Sequence, residues 1–277
     1  MKLVNVSEEK ARNILNNFKS YANDAELICL DGSSDISELQ EAGDSLIYCR
    51  PGTKATLVQN VQKNKTRNAQ VYLDKGSELS FVSVQALGKD VEGNSNLFFH
   101  VGPGASLKLF EFNAGGAKIN ANTTLELQED AKAESISSFM CSEGQNFEIN
   151  INAIHKGKNS RSFLNTRGVS GKDANAKCKG LIKVEKDAAQ SDGYQDNNGL
   201  VLDGHIQFLP FLEIENPDVK CSHNAKVTHI DESKLFYLQS RGLKKESAIK
   251  AIVEGFLFRN LPIEDKLRQM FSEELGG

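Results

Sequence analysis

Cys221-Ser222-His223 places a thiol and an imidazole two residues apart. On an extended strand, alternate side chains share a face and sit about 7 Å apart. Thiolate and imidazole are donors suited to soft and borderline metals, so such a pair can contribute to one metal ion or cluster. His229 has the same parity, but Ala225 and Val227 lie between and read as a packing face. Two donors do not complete a site. The remainder must come from elsewhere in the chain or from a second subunit. A buried cysteine beside a hydrogen-bonded structural histidine accounts for the same spacing, and the pair alone does not choose between these readings.

Other catalytic patterns are thin. No G-x-S-x-G, H-E-x-x-H or P-loop run is present. Gly102-Pro103-Gly104 reads as a turn, not a phosphate cradle. His100, His155 and His205 have no evident carboxylate or thiol partner nearby in sequence and read as structural. Five cysteines, at 29, 49, 141, 178 and 221, form no C-x-x-C pair and no disulfide framework, so most are expected to be small buried residues. The acidic residues are dispersed, and Lys244-Lys245 reads as a solvated helix start. A net charge of -4 gives no broad basic surface for nucleic acid. No apolar run approaches the ~20 residues that span a bilayer. Residues 1–10 are polar and mixed in charge, unlike a signal peptide, so the expected compartment is the cytoplasm.

The elements that must position these residues fall into three segments, 1–44, 45–230 and 231–277. In the first, Ser7 can cap a helix carrying Ala11, Ile14, Leu15, Phe18 and Ala22 on one face. A turn at Asp31-Gly32-Ser33-Ser34 and a second short helical or mixed stretch to Ala42 follow. From about Ser45 the period changes to two, as in Thr123, Leu125, Leu127 and in Phe147, Ile149, Ile151, Ala153. Lys75-Gly76-Ser77, Gly102-Pro103-Gly104, Asn113-Ala114-Gly115-Gly116 and Gly171-Lys172-Asp173 are turn signals. Gly76-Ser77, Gly104-Ala105 and Asp130-Ala131 each precede an alternating run at roughly 27-residue spacing, within the range of stacked repeats. A β-solenoid and a sandwich fit this periodicity about equally. In the last segment Asp231 can cap a helix through Leu235, Phe236 and Leu238 that Gly242 ends. A second helix carries Ala248, Ile249, Ile252 and Phe256, and a third starts at Pro262 with Ile263, Leu267, Met270, Phe271 and Leu275. Their apolar faces either pack on the β segment or dock a partner.

The stretch from Pro210 resembles a known family. Leu212-Glu213-Ile214, Asp218-Val219-Lys220-Cys221-Ser222-His223, and then Asp231 with Leu235-Phe236-Tyr237-Leu238-Gln239-Ser240-Arg241-Gly242, are similar to the SufB/SufD proteins of the SUF iron–sulfur cluster assembly system. The match continues through Glu246–Phe256. Upstream, His155–Ser160, Thr166–Gly171, Gly180–Val184, Asp187-Ala188 and Gln195 resemble the same β core. The resemblance implies a mainly β chain: a right-handed parallel β-helix flanked by α-helical N- and C-terminal segments. It implies an assembly scaffold and not an enzyme. The cluster is built transiently and passed to iron–sulfur acceptor proteins. Pairing runs through the C-terminal β region, as a homodimer or with a SufB/SufD paralogue. The C-terminal helices are expected to bind a SufC-like ABC ATPase, the only place where ATP enters. Phe236, Tyr237, Arg241, Gly242 and Phe256 are the expected partner-binding residues. Cys221 and His223 are the expected metal donors, with Cys178 and His205 as further candidates, although Ala176-x-Cys178-x-Gly180 reads as small residues packed inside a coil.

Departures from the SufB pattern sharpen the expectation. The positions where SufB proteins carry cysteines fall near Thr124 and Asp196, and Asn224 stands where SufB has a glutamate. Cys221 and His223 match the SufD-type pattern, and the long N-terminal extension of many SufB proteins is missing. The mixture suggests a short scaffold that pairs with itself and one ATPase. The alternative is a SufD-like partner that supports ATPase binding and iron entry without holding a cluster.

Overall fold

The computed structural model describes residues 26–30, 33–40, 44–61 and 66–259. The helices expected at 7–22 and 262–275 lie outside these residues.

Sixteen strands wind as a parallel β-solenoid. They are β1 Glu26–Leu30, β2 Ser33–Gln40, β3 Ser45–Cys49, β4 Lys54–Val61, β5 Thr66–Leu73, β6 Glu78–Leu87, β7 Glu92–Val101 and β8 Ser106–Gly115. There follow β9 Lys118–Leu127, β10 Lys132–Cys141, β11 Asn146–His155, β12 Arg161–Ser170, β13 Asn175–Val184, β14 Asp192–Val201, β15 His205–Ile214 and β16 Lys220–His229. Odd strands form one eight-stranded parallel sheet and even strands the other, each strand pairing with the strand two places on. This topology excludes the sandwich. Helices α1 Glu232–Ser240 and α2 Lys245–Leu257 follow.

The weak sequence repeat is the corner between the two sheets. Gly52, Gly76, Gly104, Asp130, Asn159 and Gln190 all have φ between 57° and 69° at this corner, a region that Gly occupies freely and Asn and Asp tolerate. Each of their N–H groups donates to a carbonyl of the next coil's corner, as Gly76 to Pro103 at 3.0 Å and Asp130 to Lys158 at 2.9 Å. The residue that follows, Thr53, Ser77, Ala105, Ala131, Ser160 or Ser191, is small and buried. The repeat at Gly76, Gly104 and Asp130 therefore marks three of six equivalent corners.

Inward side chains stack in register. Leu79, Leu107 and Ala133 align on successive even strands, and Leu97, Thr123 and Ile151 on odd ones. The alternating pattern puts an aliphatic core between the sheets. A second apolar cluster covers the outside of the even sheet, where α2 lays Val253 and Leu257, followed by Phe258, on Phe112, Met140 and Val169. Arg167 donates to the Phe256 and Arg259 carbonyls, capping the helix end and fixing it to β12. Asp231 caps α1 by accepting from the Ser233 and Lys234 amides, and Gly242 leaves it at φ 93°.

Two expectations need correction. Ser33 and Ser34 begin a strand, not a turn, and residues 35–40 are extended, not helical. Pairing of β2 with β4 continues the even sheet and overrides the weak local preference. Asn113–Gly115 likewise belong to β8, and the chain turns only after Gly115. The Gly115 N–H-to-Cα stretch passes so close to β6 that a Cβ there would meet the Leu87 carbonyl at 2.0 Å.

Candidate functional site

Cys221 and His223 lie on β16, the outermost strand of the even sheet. Their register partners on β14 are Gly193 and Gln195, whose side of the strand faces the interior. The shared parity therefore points both side chains inward. Inward does not mean buried here. Among the described residues no strand lies beyond β15 or β16. Cys221 is half-buried against the core, whereas His223, Ala225 and His229 are exposed. Val227 is 47% exposed, so the expected packing face is uncovered. On β15, Ile214 shares the inward parity and is 41% exposed, whereas Phe211, 51% exposed, has the outward parity of His205. Among the described residues the solenoid therefore ends in an open coil, with no strand paired to the outer edge of β15 or β16.

Beneath Cys221 the structure assembles residues that local spacing does not connect. Ser162, Gly193 and Cys221 occupy one register position on β12, β14 and β16. A Cβ on Gly193 would lie 3.4 Å from both the Cys221 Sγ and the His155 Nε2. The thiol and the imidazole thus converge over a position that has no side chain. His155 is fully buried, with Nδ1 2.7 Å from the Ser160 Oγ and Nε2 2.8 Å from the Ser162 Oγ. Ser160 donates its own proton to the Gly157 carbonyl at 2.9 Å, so it accepts from Nδ1–H and leaves Nε2 to accept from Ser162. The only sequence sign of this network is the pair of serine corners, Ser160 and Ser191.

Burial lowers the His155 pKa to about 4, opposed by the nearby Asp192 charge. The folded state then resists protonation that the unfolded chain accepts near pH 6.5. Stability from this neutral histidine is present above pH 6.5 and falls as pH drops toward 4, by about 3 kcal/mol in all. Urea unfolding across this range should show the decline, and His155→Gln should flatten it. The Cys221 thiol is raised by burial and by Asp192, with a backbone hydrogen bond at Gly193 pulling the other way. It is therefore a thiol near neutrality that must lose a proton to ligate.

The other candidate donors stand apart. Cys178 faces the apolar core on β13, and burial raises its thiol far above the ordinary value. His205 begins β15 exposed, on the outer face of the odd sheet, away from the inward-facing Cys221. Among the described residues no three His, Cys, Asp or Glu side chains form a metal-binding group. Cys29, Cys49 and Cys141 are buried, as their type suggests.

A second surface lies on α1. Phe236 is 73% and Tyr237 56% exposed, and Leu243, which spacing did not single out, is 40% exposed. Arg241 sits 5.2 Å over the Tyr237 ring. Phe256 instead packs toward the even sheet with Ile249 and Ile252. No helix among the described residues is long and apolar enough to cross a membrane.

A parallel β-solenoid followed by two helices is the fold that the resemblance to the SufB/SufD proteins implies. The chain belongs to this family: residues 33–256 match the model of the SUF system FeS cluster assembly SufBD core domain. It is 25% identical over 224 residues to the iron–sulfur cluster assembly SufBD family protein ABCI8, chloroplastic, of Arabidopsis thaliana, covering 75% of this chain and 40% of that protein. It is 30% identical to a SufBD family protein of Archaeoglobus fulgidus, over 68% of this chain and 51% of the relative. The SufBD family protein ycf24 of Galdieria sulphuraria is 31% identical over 49% of this chain and 63% of its own length. The chain thus spans about half the length of these relatives.

Proposed function

We propose that the protein is a scaffold component of SUF-type iron–sulfur cluster assembly that pairs through its open terminal coil and works with a SufC-like ABC ATPase in the cytoplasm. The observation that carries this reading is the exposed inner face of β16, which presents Cys221 and His223 beside uncovered apolar residues of β15. Exposed sheet edges with apolar side chains are templates for pairing. A second copy, or a SufB/SufD paralogue, would cover Phe211, Ile214 and Val227 and bring further donors to Cys221. The cluster is cargo: it forms at the interface and leaves to acceptor proteins. The chain supplies donors and a frame, and ATP acts only through the partner.

Phe236, Tyr237, Arg241 and Gly242 are proposed to form the ATPase contact, with Phe256 holding α2 to the sheet behind them. Truncating a central interface aromatic costs roughly 2 kcal/mol, about thirtyfold in affinity. Phe236→Ala with Tyr237→Ala should weaken binding of the neighbouring ABC ATPase by at least that factor while leaving the unfolding temperature unchanged, since both rings are exposed. Isothermal titration calorimetry checks the affinity. Co-purification as a stable heterodimer with a separate SufB would overturn the self-pairing version.

The second reading is a SufD-like partner that binds the ATPase and supports iron entry without holding a cluster. It is favoured by the SufD-type pairing of Cys221 with His223. An intact dimer and ATPase complex that binds no iron under any condition would select it.

A further inference from the structure

The solenoid core contains a polar compartment away from Cys221. Arg67 is fully buried on β5, and its guanidinium donates to the Ser83 hydroxyl and, from Nε at 3.1 Å, to that of Ser95. Glu111 is buried on β8, in the next coil, and accepts from the Thr123 Oγ1 at 3.0 and 3.1 Å. The two charges sense each other, but no direct ion pair joins them. Each charge is held by hydroxyls, and the attraction that offsets the desolvation of a buried guanidinium and carboxylate is strongest in contact or through a bridge.

Neighbouring polar side chains lack partners altogether. Gln59, Ser83, Glu111 and Ser137 align on the inner face of successive even strands, and Gln85 and Asn113 align beside them. Both amide atoms of Gln59 and of Gln85, the Asn113 Oδ1 and the Ser135 and Ser137 hydroxyls are buried and have no protein partner. Gln85 packs over Gly93 with Leu87: a Cβ on that glycine would lie 2.4 Å from the Leu87 Cδ1 and 2.8 Å from the Gln85 Nε2. Orphaned polar atoms at this density are rare in folded proteins, and a buried water satisfies about three at a time.

We propose that the interior between β4 and β10 binds a cluster of ordered water molecules that bridges Arg67 to Glu111 and completes the hydrogen bonding of Gln59, Gln85 and Asn113. Seven orphaned atoms served at about three bonds per water call for roughly two to three molecules. The site is independent of the cluster-assembly reading.

A crystal structure of the full chain that resolves ordered water tests the proposal. The expected result is two or more waters within hydrogen-bond distance of Arg67, Glu111 and Gln85. A dry interior with the amides paired to one another overturns it, as does a chloride or other ion in place of water. Thermal unfolding of Gln85→Leu gives a second readout. In a dry core, removing an unsatisfied amide raises the unfolding temperature, which counts against the proposal. In a hydrated one, the leucine strands water and neighbours, and the temperature falls or stays constant. Where that variant fails to fold, the electron density of the native chain decides.

Discussion

Cys221→Ala is expected to reduce iron and acid-labile sulfide by at least about tenfold after anaerobic reconstitution, because losing even an outer-shell partner costs a metal site 10–100-fold. The fold should survive, since Cys221 is only half-buried at an open end. Circular dichroism and the unfolding temperature provide that control. His223→Ala should follow in the same direction with a smaller loss, because thiolate is the stronger donor for iron–sulfur clusters. Reconstitution should also be more complete at pH 9 than at pH 7. The raised Cys221 thiol must deprotonate before it ligates, so the dependence runs toward alkaline pH. Unchanged cluster content in Cys221→Ala would remove Cys221 from the ligand set. A wild-type chain that never loads would instead select the SufD-like reading.

Phe139→Ala should be the most damaging single core change, at roughly 3–5 kcal/mol. Phe139 is fully buried between the sheets and meets Phe147 at 6.2 Å between ring centroids. Its register partner on the next coil is Gly168, and a Cβ there would lie 2.0 Å from the ring. The ring therefore occupies the space that the next coil's side chain would fill. Gly168→Ala alone should cost about 1–3 kcal/mol or more through overpacking. Once Phe139 is alanine, the added methyl enters a cavity, so the double variant should be less destabilised than the sum of the two. Thermal unfolding of all four proteins measures this. Strict additivity would mean the ring does not rest on Gly168.

Much of the architecture is local and so was legible. The two-residue periodicity after Ser45, the left-handed corners at Gly76, Gly104 and Asp130, and the Asp231 and Gly242 caps each depend on a few adjacent residues. The corner at Gln190 is not legible as a repeat, because glutamine does not announce the left-handed backbone that stacking on the next coil supports. The strand at Ser33–Gln40 was missed for the same reason, as its extended form rests on hydrogen bonds to β4 and not on its own composition.

By itself the sequence determined the alternation that turns Cys221 and His223 to one side, and the order of motifs that marks a SufBD core. It did not determine whether that side was buried. Ala225 and Val227 alternate as regularly as Ile149 and Ile151, yet the latter are sealed and the former are open. The difference is only whether another coil stacks above, and stacking joins residues about thirty positions apart. The approach of His155 to Cys221 over Gly193 is likewise tertiary, because a solenoid brings side chains together along its axis, across coils that local spacing cannot count.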